Sequence, residues 1–305
     1  MGRTGQLANR AYSTMPNLSL FLSQAFNGIA LGSLLSLISV GLTIILGTLG
    51  VLNFAHGAVF MVGAYVGYQV SVYTGSLVAA VVAGVLFTAL LGLFLERFFV
   101  RYFYKRSPED QILVTFGLGI VVTELVRQIF GGVAKHVAVP QWSSGIVSIG
   151  SLIYPKYRVI AIGVVAAALI VLYLALYRTK VGLVVRAGIE DILMVNALGI
   201  DARKVFLAVF VIGSAAAGFA GVIDAPIVAV TPDMGNEVLV MSFVVVVIGG
   251  LGSFGGAIVG GLVAGEVLSL VSMFDAAYSQ VALFLVMALI LILRPSGLFG
   301  TLGRT

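Results

Sequence analysis

The sequence predicts an all-α fold, a polytopic transmembrane helical bundle of about 8–9 spans with a short cytoplasmic coupling helix. Three observations carry this prediction. The 305 residues are 60% apolar and 10% charged, with a mean hydropathy of +1.16, whereas soluble domains carry about 25% charged residues. The apolar residues fall in continuous runs that reach the ~20 residues a helix needs to cross a bilayer. Glycine occurs 38 times, and small residues let membrane helices approach backbone to backbone. An ordinary water-soluble enzyme is excluded by the same figures, and a transmembrane β-barrel would show short alternating segments instead.

Taken in order, the chain opens with a polar tail, 1–17, that holds Arg3 and Arg10. The apolar run behind it is too long for a signal-peptide core and reads as the first span. Spans are expected near 20–48, 54–73, 77–97, 110–130, 158–177, 205–229, 238–250, 254–273 and 277–293. The seventh is short and ends in glycine, so it reads as a partial helix. Three loops have substance: a basic one at 97–110, one at 131–157 with Pro140, Trp142 and Pro155, and one at 178–204. Nothing marks a second domain, and 1–305 reads as one transmembrane unit.

Charge then orients the bundle. Arg97, Arg101, Lys105 and Arg106 follow the third span. Arg178, Lys180, Arg186, Arg203 and Lys204 follow the fifth, and Arg294 and Arg304 the ninth. With nine spans these eleven lie on one side, against five on the other: Lys135, Lys156, Arg158, Arg3 and Arg10. Lys and Arg excess marks the cytoplasmic face. The net charge of +5 is therefore topology and not a nucleic-acid footprint.

Glycine pairs at GxxxG spacing, Gly28/Gly32, Gly63/Gly67, Gly256/Gly260 and Gly261/Gly265, imply tight internal packing, with a contact to another subunit open for one of them. The segment Leu49-Gly50-Val51-Leu52-Asn53-Phe54-Ala55-His56-Gly57 is echoed at Leu251-Gly252-Ser253-Phe254-Gly255-Gly256. Each places Asn53 or Ser253 where a helix N-cap would sit. The echo is open between two readings, a transporter repeat with broken helices near its substrate and two unrelated helix turns.

Ionisable residues inside spans are costly and face protein or water. Glu124 and Arg127 are three apart and pair on one face. Glu266 has no neighbouring cation in its run and needs a partner, a proton or a water-filled cavity. Asp224 and Asp275 read as interfacial. His56, beside Asn53, reads as a structural hydrogen bond near the cytoplasmic surface more readily than as a proton carrier. Asn53, His56, Glu124 and Glu266 are thus the substrate-pathway candidates. A metal site is not expected, since the other histidine, His136, lies in an opposite-side loop. With no cysteine, a thiol nucleophile or disulfide is impossible, and no catalytic residue is assigned.

The loop 178–204 is the longest polar insert. Its centre, 186–198, has helical spacing; Arg186 and Glu190 form an i, i+4 pair, and Gly199 is a helix stop. It reads as a short helix on the cytoplasmic face, either tiling the bilayer interface or docking a partner.

Four motifs in the same order tip that balance. Gly41-Leu42-Thr43-Ile44-Ile45-Leu46-Gly47 leads through Asn53-Phe54-Ala55-His56-Gly57 to Gly63-Ala64-Tyr65. Arg186-Ala187, Asp191 and Leu198-Gly199-Ile200 form the second motif. Gly249-Gly250-Leu251-Gly252-Ser253-Phe254-Gly255-Gly256 is the third and Arg294-Pro295-Ser296-Gly297-Leu298-Phe299-Gly300 the fourth. Together they resemble the permeases of branched-chain amino-acid ABC importers, of the high-affinity leucine/isoleucine/valine type, and the smaller of the two permease types. Gly188-Ile189-Glu190 departs from the family pattern, and 131–157 matches little of it. The resemblance implies a pairing with a second, related permease, two cytoplasmic ATPases, and an external solute-binding protein that delivers substrate. Arg186, Glu190, Asp191, Leu198 and Gly199 would form the ATPase-coupling stretch. No Gly-x-x-x-x-Gly-Lys-Ser/Thr loop occurs, so no cofactor is expected and ATP would be bound by the partners. The implied location is the bacterial inner membrane.

Two other classes stand beside it. An ion-coupled secondary transporter or channel would need buried acids, and Glu124 and Glu266 are few. An intramembrane protease would need a nucleophile beside His56, and no Gly-x-Ser-x-Gly occurs. Within the family, amides or urea are alternative cargo.

Overall fold

The computed structural model describes residues 18–149, 152–190 and 192–300. Its helices are α1 (Leu18–Leu49), α2 (His56–Thr74), α3 (Leu77–Phe98), α4 (Pro108–Phe130), α5 (Lys156–Arg178), α6 (Lys180–Glu190), α7 (Ile192–Ala197), α8 (Ala202–Asp224), α9 (Met234–Gly249), α10 (Phe254–Ser272) and α11 (Ser279–Leu293). Seven helical segments, α1, α3, α4, α5, α8, α10 and α11 together with the 3-10 turn Ala276–Tyr278 before it, are long and apolar enough to cross a membrane; α2, at the expected second span, is not among them. Helix α9, with 16 residues, is the short seventh run of the sequence reading. The fold is a polytopic helical membrane bundle, as the composition predicts.

Local chemistry sets the helix ends. Ser76 accepts from the Ala79 N–H at the start of α3 and Ser253 from the Gly256 N–H at the start of α10, each an N-cap bond. Ser107 caps α4 with Pro108 in its first turn, and Asp201 caps α8. Asn53 does not cap α2. The cap position is Ala55, and the Asn53 side chain accepts from the Ala55 N–H at 3.1 Å one turn earlier. Helix α8 stops at Asp224 and not near 229, because Pro226 has no N–H to continue the ladder.

Among the described residues the strands form one hairpin in the loop 131–157, β1 (Ile146–Ile149) against β2 (Leu152–Pro155), beside an isolated bridge between Lys135 and Val230. The hairpin defines one end of the bundle. The start of α1 lies at that hairpin end, since Asn27 is bonded by Tyr154 and Arg158. At the other end Arg97, Arg101, Arg203 and Lys204 gather around one cavity with Asp201. The basic loop after α3 and the end of the loop 178–204 therefore share a face, as the charge reading expects. Arg3 and Arg10 lie outside the described residues.

Helix α1 is the hub and packs on α10, α8, α9 and α5, with small residues at its closest approaches. A Cβ on Gly32 would come within 2.8 Å of the Gly261 carbonyl, and one on Gly265 would overlap the backbone of Gly28 and Gly32. Gly63 meets Gly218 of α8, and Gly260 approaches the Val245 carbonyl of α9. All four predicted GxxxG pairs thus face other helices of the same chain.

Candidate functional site

At the hairpin end a cavity of about 610 Å³ opens between α1, α5, α8, α9, α10 and α11. Small-molecule sites are about 300–1,000 Å³. Its polar rim is one hydrogen-bonded chain. Asn27 Oδ1 accepts from the Tyr154 hydroxyl (3.0 Å) and from Arg158 Nη1, while Asn27 Nδ2 donates to Gln24 Oε1 (3.1 Å). The Ser269 hydroxyl donates to the Gln24 carbonyl at 2.6 Å. Burial raises the pKa of the Tyr154 phenol, with Arg158 acting in the opposite direction, so the phenol keeps its proton and serves as donor. Next to this chain the Tyr157 hydroxyl donates to the Ile223 carbonyl at 2.8 Å. That bond fixes the start of α5 to the end of α8 and sets Arg158 and Asp224 on the same cavity. Leu31, Leu34, Val228, Met241 and Leu268 supply an apolar wall.

A second feature lies deeper. Between α1 and α2 the chain leaves helical geometry at Gly50 (φ 66°) and returns into the bundle through Val51, Asn53 and Ala55, all buried. Irregular backbone at membrane depth is tolerated only inside protein or along a cavity. Here Thr115 of α4 satisfies it. The Thr115 hydroxyl accepts from the Phe54 N–H at 3.1 Å and lies 3.0 Å from the Leu52 carbonyl. The Phe54 ring meets Phe116 edge-on and Phe243 at a tilt. His56, fully buried, bonds through Nε2 to the Ile38 carbonyl at 3.1 Å. Ile38 lies in the interior of α1, so this bond sits inside the bundle and not at its basic end, where the sequence reading put it. Asn53 Nδ2 and His56 Nδ1 have no partner among the described residues. The break at 50–55 and the glycine turn at Gly250 and Gly252 (φ 101° and 78°) are neighbours, since a Cβ on Gly47 would come within 3.0 Å of Gly252.

The acidic candidates are scattered. Glu124 pairs with Arg127 at 3.1 Å, and Arg127 reaches on to Asp233 at 2.8 Å. All three are exposed, and they lie away from the cavity. Glu266 rests against Gly28, with no ion pair among the described residues. Glutamine would keep its shape and remove a charge that has no counter-ion. Glu266→Gln is therefore expected to assemble and transport within about twofold of the parent, as surface-like changes do; a large loss of uptake with intact assembly would place Glu266 on the pathway.

At the basic end the loop 178–204 is helical over Lys180–Glu190 and Ile192–Ala197, on either side of residue 191, so the helical stretch expected over 186–198 starts earlier, at Lys180. Thr179 breaks the chain between α5 and α6, and its hydroxyl bonds to both the Ala175 carbonyl and the Gly182 N–H. Arg186 turns inward. Its guanidinium donates to the Leu176 carbonyl and lies 5.1 Å over the Tyr177 ring. Tyr177 in turn meets Phe254, the first residue of α10. Leu183 and Leu198 are exposed, 59% and 72%. Gly199 (φ 79°) ends α7, with the Ile200 N–H on the Val195 carbonyl, a Schellman-type stop. Asp191 and the Glu190 side chain, and with them the expected Arg186/Glu190 pairing, lie outside the described residues.

The cavity residues Gln24, Asn27, Arg158, Asp224 and Ser269 were not among the sequence-derived candidates. The available signal was an acid and a base at the ends of two spans that both open on the hairpin side.

Residues 24–293 match the family model described as branched-chain amino acid transport system / permease component. The chain is 31% identical to the high-affinity branched-chain amino acid transport system permease protein LivH of Escherichia coli K12, over 92% of this chain and 96% of LivH. It is 28% identical to BraD of Pseudomonas aeruginosa, over 94% and 98% of the two chains. The longer E. coli permease LivM is 28% identical over 86% of this chain and 67% of LivM. No solved structure matches significantly. A family match across nearly every span, with relatives covered almost end to end, leaves one assignment: the chain belongs to the branched-chain amino acid transport permease family.

Proposed function

We propose that this chain is the membrane subunit of an ATP-driven importer that moves branched-chain or other apolar amino acids into the cytoplasm. Separate ATPases would drive it and an external solute-binding protein would feed it. The reading places the basic end in the cytoplasm of a bacterial inner membrane. The likeness to both LivH and LivM supports a heterodimer of two related permeases.

One observation carries the coupling. The helices that meet α6 at the basic end are the same ones that wall the cavity at the hairpin end. Helix α5 holds Leu176 and Tyr177 at one end and Arg158 at the other. Helix α10 runs from Phe254 to Ser269, and α1 from Thr48 back to Asn27. A push on α6 and α7 from a closing ATPase is transmitted through Arg186 to elements that shape the cavity, which is how a cytoplasmic event biases a two-state membrane body. The chain would bind no nucleotide and no cofactor of its own.

Leu183 and Leu198 are the exposed apolar contacts an ATPase groove would take. Leu183→Asp with Leu198→Asp is expected to weaken ATPase retention on the order of thirtyfold, while membrane insertion is unchanged. Co-purification of the ATPases with tagged permease reads the result. Full retention in the double variant, or uptake that continues with hydrolysis-dead ATPases, would refute the coupling.

A further inference from the structure

We infer that the hairpin-end cavity is a recognition site for the charged head of a zwitterionic amino acid, with Arg158 taking the carboxylate and Asp224 the ammonium. The choice of an apolar amino acid as ligand rests on the importer reading; the charge pair rests on the geometry alone.

Arg158 and Asp224 line one cavity. They do not close an ion pair. The Tyr157–Ile223 bond holds the helix ends that carry them at a fixed separation. No hydrogen bond to the Asp224 carboxyl is found among the described residues, while Arg158 donates to Asn27 and also meets the Tyr154 hydroxyl, which leaves part of its five-donor fork for a ligand. A cation and an anion held apart in a half-buried cavity are expensive to leave unbridged. A ligand that carries a carboxylate and an ammonium on one carbon would bridge them, and its side chain would then meet Leu34, Met241 and Leu268. Urea or a simple amide, uncharged, would leave both unmatched. The site thus discriminates by head group within the permease itself, a step distinct from any selection by a binding protein.

The test uses the complete transporter in nanodiscs without binding protein. Saturation-transfer NMR would compare leucine with isocaproate, which lacks the ammonium, and isoamylamine, which lacks the carboxylate. Leucine is expected to bind about tenfold more tightly than either, the scale of one charge-assisted hydrogen-bonded contact. Arg158→Gln should weaken leucine about tenfold and leave isoamylamine unchanged, Asp224→Asn should do the converse with isocaproate, and Arg158→Lys should keep most of the preference. Because Arg158 also holds Asn27, assembly is checked by size exclusion; if Arg158→Gln fails to assemble, the three ligands on the parent protein decide. Equal binding of all three, or leucine binding unchanged in assembled Asp224→Asn, would overturn the site. Uptake that ignores ATP while head-group preference persists would instead sink the importer reading and spare the cavity.

Discussion

Gly265→Val is expected to leave almost no assembled protein, with less than about a tenth of the parent's monodisperse yield. The Cβ alone would overlap the Gly28 carbonyl oxygen and the Gly32 nitrogen and Cα. These are helix backbone atoms, which cannot swing aside as the tip of a side chain can. Overpacking in soluble cores costs about 1–3 kcal/mol where neighbours can shift. Here the relief would be separation of α1 from α10. Membrane helices have no hydrophobic drive toward one another and rely on close packing, so lost approach is not recovered elsewhere. The same helices also hold Gln24 and Ser269 together, and the cavity would be lost with the seam. Gly117→Ala is the matched control, since its Cβ would meet nothing within 4 Å, and it should express like the parent. Fluorescence-detected size exclusion separates the two; a normal Gly265→Val peak would remove the α1–α10 seam as the organising contact.

The spans were legible because composition, run length and glycine spacing all depend on residues close in the chain. The seventh run is a case in point: its terminal glycine forecast a short helix, and α9 is one. Where a boundary moved, a single residue decided it, as Pro226 does for α8. Asn53 was misplaced for a related reason. An Asx side chain that accepts from the N–H two residues on belongs to a local turn, while one that reaches two or three into a helix is a cap, and both patterns read alike in sequence. The cavity was not legible, because its polar chain joins residues from Gln24 to Ser269 and each alone resembles an ordinary span-end residue. Arg186 shows the same limit. Its spacing from Glu190 supports a helix, but the break at Thr179 folds α6 back so that Arg186 also reaches the Leu176 carbonyl. Fold-back geometry of that kind depends on a tertiary contact that no local window contains.

Thr115→Val is expected to cost the protein most of its transport and about 1–3 kcal/mol of stability, more where water cannot enter. Valine matches threonine in shape, so packing is nearly unchanged and the effect isolates one hydroxyl. That hydroxyl is the acceptor for the Phe54 N–H and a neighbour of the Leu52 carbonyl, in a segment that has no helix to satisfy it. Without the hydroxyl the Phe54 N–H is left in a buried position with no acceptor. The chain's cheapest response is to let 50–55 rearrange, and with it the start of α2, where His56 is bonded to the Ile38 carbonyl and Gly57 packs on Gly235. Thr115→Ser restores the hydroxyl and loses only a methyl group, so it should keep most of the activity and stability. The comparison is read by thermal unfolding of the purified complex and by uptake in proteoliposomes. If valine and serine behaved alike, the broken segment would be held by packing of Phe54 against Phe116 and Phe243 rather than by its hydrogen bonds. A Val variant that is unstable yet transports normally once assembled would separate the break from the transport path altogether. The geometry argues against both outcomes, since Thr115, Phe54 and the first turn of α2 form one continuous chain of contacts from α4 to the centre of α1.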